Sequence, residues 1–137
     1  IDEYRAAMEL GEIEPRIALN LVDALVRVGR FEQAVNVLQT VVRTDPSAMA
    51  YERLGYTYFK MGDFDESREA YERALELDPN DPAVLNGLGV NLMTRYLQGK
   101  REDLKLRDDA VDYWRRSIRI EPDQQRIIDL IARYRNL

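Results

Sequence analysis

No histidine and no cysteine occurs among the 137 residues, so an imidazole base, a thiolate nucleophile and the common zinc ligands are all missing. Nucleophilic chemistry would fall to three serines. Ser47 stands before Ala48, where a helix needs an N-cap, while Ser67 and Ser117 occupy small-residue positions of helix packing. Asp63, Asp65 and Glu66 gather at the start of a helix, where negative charge is favourable, and read as capping and surface charges. Gly87-Leu-Gly89 lacks the preceding strand and the following Gly or Lys of a phosphate loop, and reads as a close helix contact. These residues point away from catalysis, and no metal or cofactor is expected. What the chain offers is recognition chemistry. Tyr56 and Phe59, three apart, share a helix face that packing does not demand, and Arg53 and Lys60 flank them with cationic donors. Aromatic and arginine anchors dominate the energetics of interfaces.

The elements that must position them are helices. In the stretch from Ala48 to Asp81, Tyr51, Leu54, Gly55 and Tyr58 form one helical stripe and Ser67, Tyr71 and Ala74 a second. Gly62-Asp63 breaks the pattern between them and Pro79 closes it. Ser47, Asp63 and Asp81 are expected to cap the helices that follow them. The same unit recurs upstream. Leu21, Val22, Leu25, Gly29, Phe31, Ala34, Leu38, Val41 and Pro46 each stand 33 residues before Leu54, Gly55, Tyr58, Gly62, Phe64, Ser67, Tyr71, Ala74 and Pro79. Val22 replaces the small residue at the helix contact, so that crossing is expected to be looser.

Downstream the spacing changes. Leu88 and Gly89 fall 34 residues after Leu54 and Gly55, but Ala110, Trp114, Ser117 and Pro122 fall 43 after Ser67, Tyr71, Ala74 and Pro79. Nine extra residues lie between the two helices of this repeat, within 95–109. The sequence predicts that both helices lengthen about a Gly99 turn, by four or five residues each, projecting a hairpin by about 6 to 7 Å. Residues 123–137 form a last helix with Ile127, Ile128, Leu130, Ile131 and Tyr134 on its apolar side. At the other end, Tyr4 to Leu10 overlays on Tyr71 to Leu77, which makes residues 1–14 the second helix of a repeat whose first helix is missing.

The net charge of −5 argues against a nucleic-acid partner, which usually faces a basic stripe. Residues 1–94 hold 9 Lys/Arg against 17 Asp/Glu and residues 95–137 hold 11 against 8, but the C-terminal arginines alternate with acids as on a solvated helix. No run of 18 apolar residues is present, so no membrane insertion is expected. The chain begins at Ile1 rather than Met, and an upstream segment is expected to have been removed. The compartment stays open, with a soluble cytoplasmic chain as the default.

The pattern of 48–81 resembles the W-x2-L-G-x2-Y…A-x3-F…P signature of the tetratricopeptide repeat, with Tyr for Trp and Ser for Ala. The resemblance implies an all-α fold, a right-handed α-α superhelix of antiparallel helix pairs: a half-repeat over 1–14, repeats over 15–47, 48–81 and 82–122, and a C-terminal capping helix over 123–137. It further implies a protein–protein interaction scaffold that binds a peptide or helical segment of another protein in a concave groove lined by the first helix of each repeat. On those helices the residues that packing does not use are Arg16, Asn20, Asp23 and Arg27, then Met49, Glu52, Arg53, Tyr56, Phe59 and Lys60, then Asn86, Val90, Met93 and Thr94. Arrays of this family that grip a C-terminal carboxylate use Lys and Asn, then Asn, then Lys and Arg, where this chain has Leu19 and Asp23, then Arg53, then Ala83 and Gly87. That clamp is absent. The alternative is a structural homo-oligomer, assembled through the uncovered N-terminal edge.

Overall fold

The computed structural model describes residues 14–135, and every regular element among them is a helix. They run α1 (Pro15–Arg27), α2 (Phe31–Thr44), α3 (Ala48–Met61), α4 (Phe64–Leu77), α5 (Pro82–Gln98), α6 (Leu104–Ile120) and α7 (Gln125–Tyr134). The chain divides between Leu77 and Asp78 into two compact units. The expected half-repeat over 1–14, and with it the N-terminal edge, lies outside the described residues apart from Glu14.

In the first unit α1 packs on α2 and α3, α2 on α3, and α3 on α4. Pro15 opens α1, where its missing N–H costs no helix bond. Gly29 and Gly62 close α1 and α3 with φ of 82° and 83°, a region closed to most side chains. Each turn then satisfies two orphan carbonyls. Arg30 N donates to Leu25 O at 2.8 Å and Gly29 N to Val26 O at 3.0 Å, and Asp63 N and Gly62 N repeat the arrangement on Tyr58 O and Phe59 O. Ser47 Oγ accepts from Ala50 N at 3.1 Å and so starts α3. Asp63 contributes its main-chain carbonyl to Ser67 N at 2.9 Å.

The core of this unit is built from the apolar stripes, with Ala18, Val22, Ala34, Leu38 and Ala50 fully buried. Tyr71 lies over Gly55, and a Cβ at Gly55 would come within 2.8 Å of the Tyr71 ring. Ser67, also fully buried, donates its Oγ proton to Gly55 O at 2.7 Å, so the small pair of residues lets α3 and α4 meet and bond. At the equivalent places α1 and α2 hold Val22 and Leu38, an aliphatic pair in place of glycine and ring. These backbones approach closely over a shorter stretch than α3 and α4, in line with the bulk added at Val22.

In the second unit α5 packs on α6 and α6 on α7. Asp81 Oδ1 caps α5 through Ala83 N at 3.0 Å. Both α5 and α6 have 17 residues, about 26 Å, against 14 residues, about 21 Å, in α3 and α4. The lengthening is three residues per helix rather than four or five, because the remainder goes into a turn after Gly99. There Lys100 and Arg101 adopt φ of 63° and 62°, and Arg101 N reaches back to Tyr96 O at 3.0 Å. Asp103 Oδ1 starts α6, accepting from Lys105 N at 3.1 Å. Trp114, fully buried, covers Gly89, and Leu92, Met93, Tyr96, Ala110, Ile127 and Ile131 complete the core with it.

Candidate functional site

Within the first unit α1 and α3 present adjacent faces, and three charges that are far apart in sequence meet there. Arg53 Nε on α3 donates to Asp23 Oδ1 on α1 at 2.9 Å. Its Nη1 donates to Glu52 Oε1 at 2.7 Å. The guanidinium is thus a strut between the two helices, about 30% exposed at its side chain. Burial alone would lower its pKa, but the hydrogen bond to Asp23 and the charges of Glu52 and Asp23 outweigh that effect and the net shift is upward. Counted together, Asp23, Glu52 and Arg53 leave the cluster net negative.

Beside the strut a recess of about 300 Å³ is lined by Asp23, Val26, Arg27, Arg53, Tyr56 and Thr57. By volume it would hold roughly ten waters at about 30 Å³ each, enough for one large side chain. Thr57 is fully buried and donates its hydroxyl to Arg53 O at 2.7 Å, so it offers the recess no free polar group. Tyr56 is 42% exposed at the mouth. Behind α3, burial and then the charges of Glu52 and Tyr56 hold the Tyr71 phenol well above its ordinary value.

Of the other residues expected on this face, Arg16, Asn20, Arg27, Met49 and Lys60 are exposed. Arg16 reaches Glu14 at 3.8 Å. Phe59 is half-buried with its ring edge-on to Phe64, centroids 5.6 Å apart, so one side of it is spent on the helix pair. Arg53 is a correction of role. The sequence reads it as a cationic donor for a partner, whereas its Nε and Nη1 already serve two carboxylates and only the rest of the guanidinium is left for one.

In the second unit the four expected residues do not form an open face. Met93 is 3% exposed and belongs to the core, because α5 is apolar on several sides and buries more of its circumference than α1 or α3. Asn86 is engaged in helix docking. Its Nδ2 donates to Gln124 Oε1 at 2.8 Å and its main-chain oxygen accepts from Trp114 Nε1 at 3.4 Å. Val90 and Thr94 are half-buried. Gln124 was not singled out in the sequence, although it also donates to Ser117 Oγ at 3.0 Å and to Glu121 O at 2.8 Å. Nothing in its type or spacing marks it, since it joins Asn86 on α5 to the end of α6 at Ser117 and Glu121. Val26 and Thr57 were missed for a similar reason: they read as packing residues and become recess walls only when α1 and α3 meet.

With this geometry in hand, comparisons with known proteins agree on the repeat. The model of the tetratricopeptide repeat matches residues 19–82 and 52–93. Small glutamine-rich tetratricopeptide repeat-containing protein 2 of Mycosarcoma maydis is 30% identical over 92 residues, 66% of this chain and 26% of that protein. Heat shock protein STI1 of Saccharomyces cerevisiae is 30% identical over 108 residues, 77% of this chain and 18% of that one. The chain therefore spans about a quarter or less of the length of these relatives. Among solved structures, MamA superposes with a TM-score of 0.76 at 22% identity, covering 96% of this chain and 72% of that one. The first TPR of Spaghetti, bound to an HSP90 peptide, gives a TM-score of 0.76 at 12% identity, covering 88% and 89%. At these identities the likeness shows the fold, an all-α tetratricopeptide architecture.

Proposed function

Because the chain belongs to the tetratricopeptide repeat family, we propose that it is a non-catalytic adaptor whose α1–α3 face binds a peptide or helical segment of another protein. The observation that carries this is the half-exposed Tyr56 ring at the mouth of a recess lined also by the half-buried Val26. Such a surface gives an apolar or aromatic side chain of a partner something to displace water from, and the Asp23–Arg53 strut keeps the two helices in register around it. The Spaghetti structure with its HSP90 peptide supports peptide binding as something this fold can do.

The chemistry of the face differs from carboxylate capture. Leu19 is buried, Asp23 brings a negative charge, and Arg53 is held by two carboxylates, so the side-chain pattern of a carboxylate clamp is absent. An internal segment with an apolar anchor fits better. The test is selection of a displayed library of internal linear peptides, followed by calorimetry on the selected sequences. Tyr56→Ala should weaken binding about tenfold or more, the loss of one anchor, with the circular dichroism spectrum unchanged. Equal affinity in this variant removes the α1–α3 reading, as does selection of peptides that shift only second-unit amides in a nuclear magnetic resonance titration.

A further inference from the structure

On the far side of α3 a second crevice opens between α3 and α4. Tyr51, Leu54 and Tyr58 form its floor and Glu66, Glu69, Ala70 and Arg73 its wall. At about 100° per residue the Tyr51–Tyr58 stripe lies roughly 140° round α3 from the Arg53–Tyr56–Thr57 stripe, so this is a surface distinct from the recess above. Its volume is about 260 Å³. Leu54 and Ala70 are buried and Ala70 is small, which leaves the space unfilled, and Tyr51 and Tyr58 are half-buried with their rings lining it.

We propose that this crevice is a docking point for a basic side chain, lysine or arginine, of a protein partner. Glu66 and Glu69, one turn apart on α4, both line it, and among the described residues neither takes part in an ion pair. Two tyrosine rings beside two carboxylates make an environment in which a cation gains from the ring quadrupole and from charge at once. Leu54 and Ala70 are buried at the base, while Glu66 and Glu69 stand exposed at the rim, so the charge attraction is screened by solvent and the tyrosine rings supply the remaining contact. Gln39 Nε2 donates to the Tyr58 hydroxyl at 3.3 Å and so ties that ring to α2, which holds the floor in place before anything binds. Arg73 is the one cation in the lining, and it too lies outside any ion pair among the described residues, so it stands as an internal competitor rather than a fixed partner. An acidic or phosphorylated side chain would meet an excess of like charge here.

The experiment is an amide-shift titration of the 137-residue chain with acetyl-Gly-Arg-Gly-amide, using acetyl-Gly-Glu-Gly-amide as the opposite charge. The arginine peptide should produce saturable shifts centred on Tyr51, Tyr58 and Ala70, and the glutamate peptide none there. Glu66→Gln with Glu69→Gln should weaken the arginine peptide at least fivefold, and Arg73→Ala should tighten it about twofold or more by removing the competitor. A melting curve checks that these surface variants stay folded. The proposal is overturned if the arginine peptide leaves those amides unmoved, if both peptides shift them alike, or if Arg73→Ala weakens binding.

Discussion

The pairing of Gly89 with Trp114 makes the sharpest demand on a single position. A Cβ at residue 89 would fall inside the indole, with Nε1 and Cδ1 the nearest atoms and Cε2 at 2.6 Å. Ordinary carbon contacts are about 3.5 to 4.0 Å, so the ring would have to move by about 1 Å or more. Trp114 is 1% exposed and lies within the core of the second unit. Overpacking of this kind costs about 1 to 3 kcal/mol or more, and displacing the indole N–H from Asn86 O adds about 1 kcal/mol. Against this, alanine gains about 1 kcal/mol of helix propensity. Gly89→Ala should therefore destabilise by about 1 to 3 kcal/mol, lowering the urea midpoint followed by circular dichroism by about 0.5 to 2 M. The Val22 and Leu38 pair of the first repeat indicates the remedy. In the Trp114→Leu background the same Gly89→Ala change should be neutral or stabilising, a coupling of about 1 kcal/mol or more. Gly55→Ala should cost less than Gly89→Ala, since its nearest ring atoms are at 2.8 Å and Tyr71 is the smaller ring. Equal costs of Gly89→Ala in both backgrounds would refute the steric argument.

Two further outcomes follow from the buried groups. Burial and the nearby charges of Glu52 and Tyr56 raise the Tyr71 phenol above its unfolded value of about 10, so the unfolded chain releases this proton first as pH rises. The stability from neutral Tyr71 is complete below about pH 10 and falls as pH climbs from there toward the folded pKa; Tyr71→Phe should lose less stability than the parent between pH 9 and 11, and parallel losses would count against the linkage. Gln124→Ala removes the bonds to Asn86, Ser117 and Glu121 and should speed amide exchange in α7 at least tenfold while α1 to α4 stay as protected as before.

Much of the fold can be read directly from the residues. The 33- and 34-residue offsets, the glycines at 29 and 62 and the caps at Ser47 and Asp81 place the helices because they act locally: each depends on backbone conformation or on bonds within a few residues of itself. The small-residue contacts at Gly55, Ser67 and Gly89 are also legible, since a repeat imposes the same packing at the same spacing. The role of Arg53 is of another kind. Its charge is visible in the sequence, but whether it faces a partner or a carboxylate 30 residues away depends on how α1 and α3 pack, and Asp23 settles that only in three dimensions. The same holds for Met93, which side-chain type alone leaves free to line a groove, and which the extended α5 buries. Periodicity states which residues share a side of a helix. Which side is covered, and by what, is a property of the neighbouring helices, and so the recess beside Tyr56 and the crevice beneath Glu66 exist only in the packed structure.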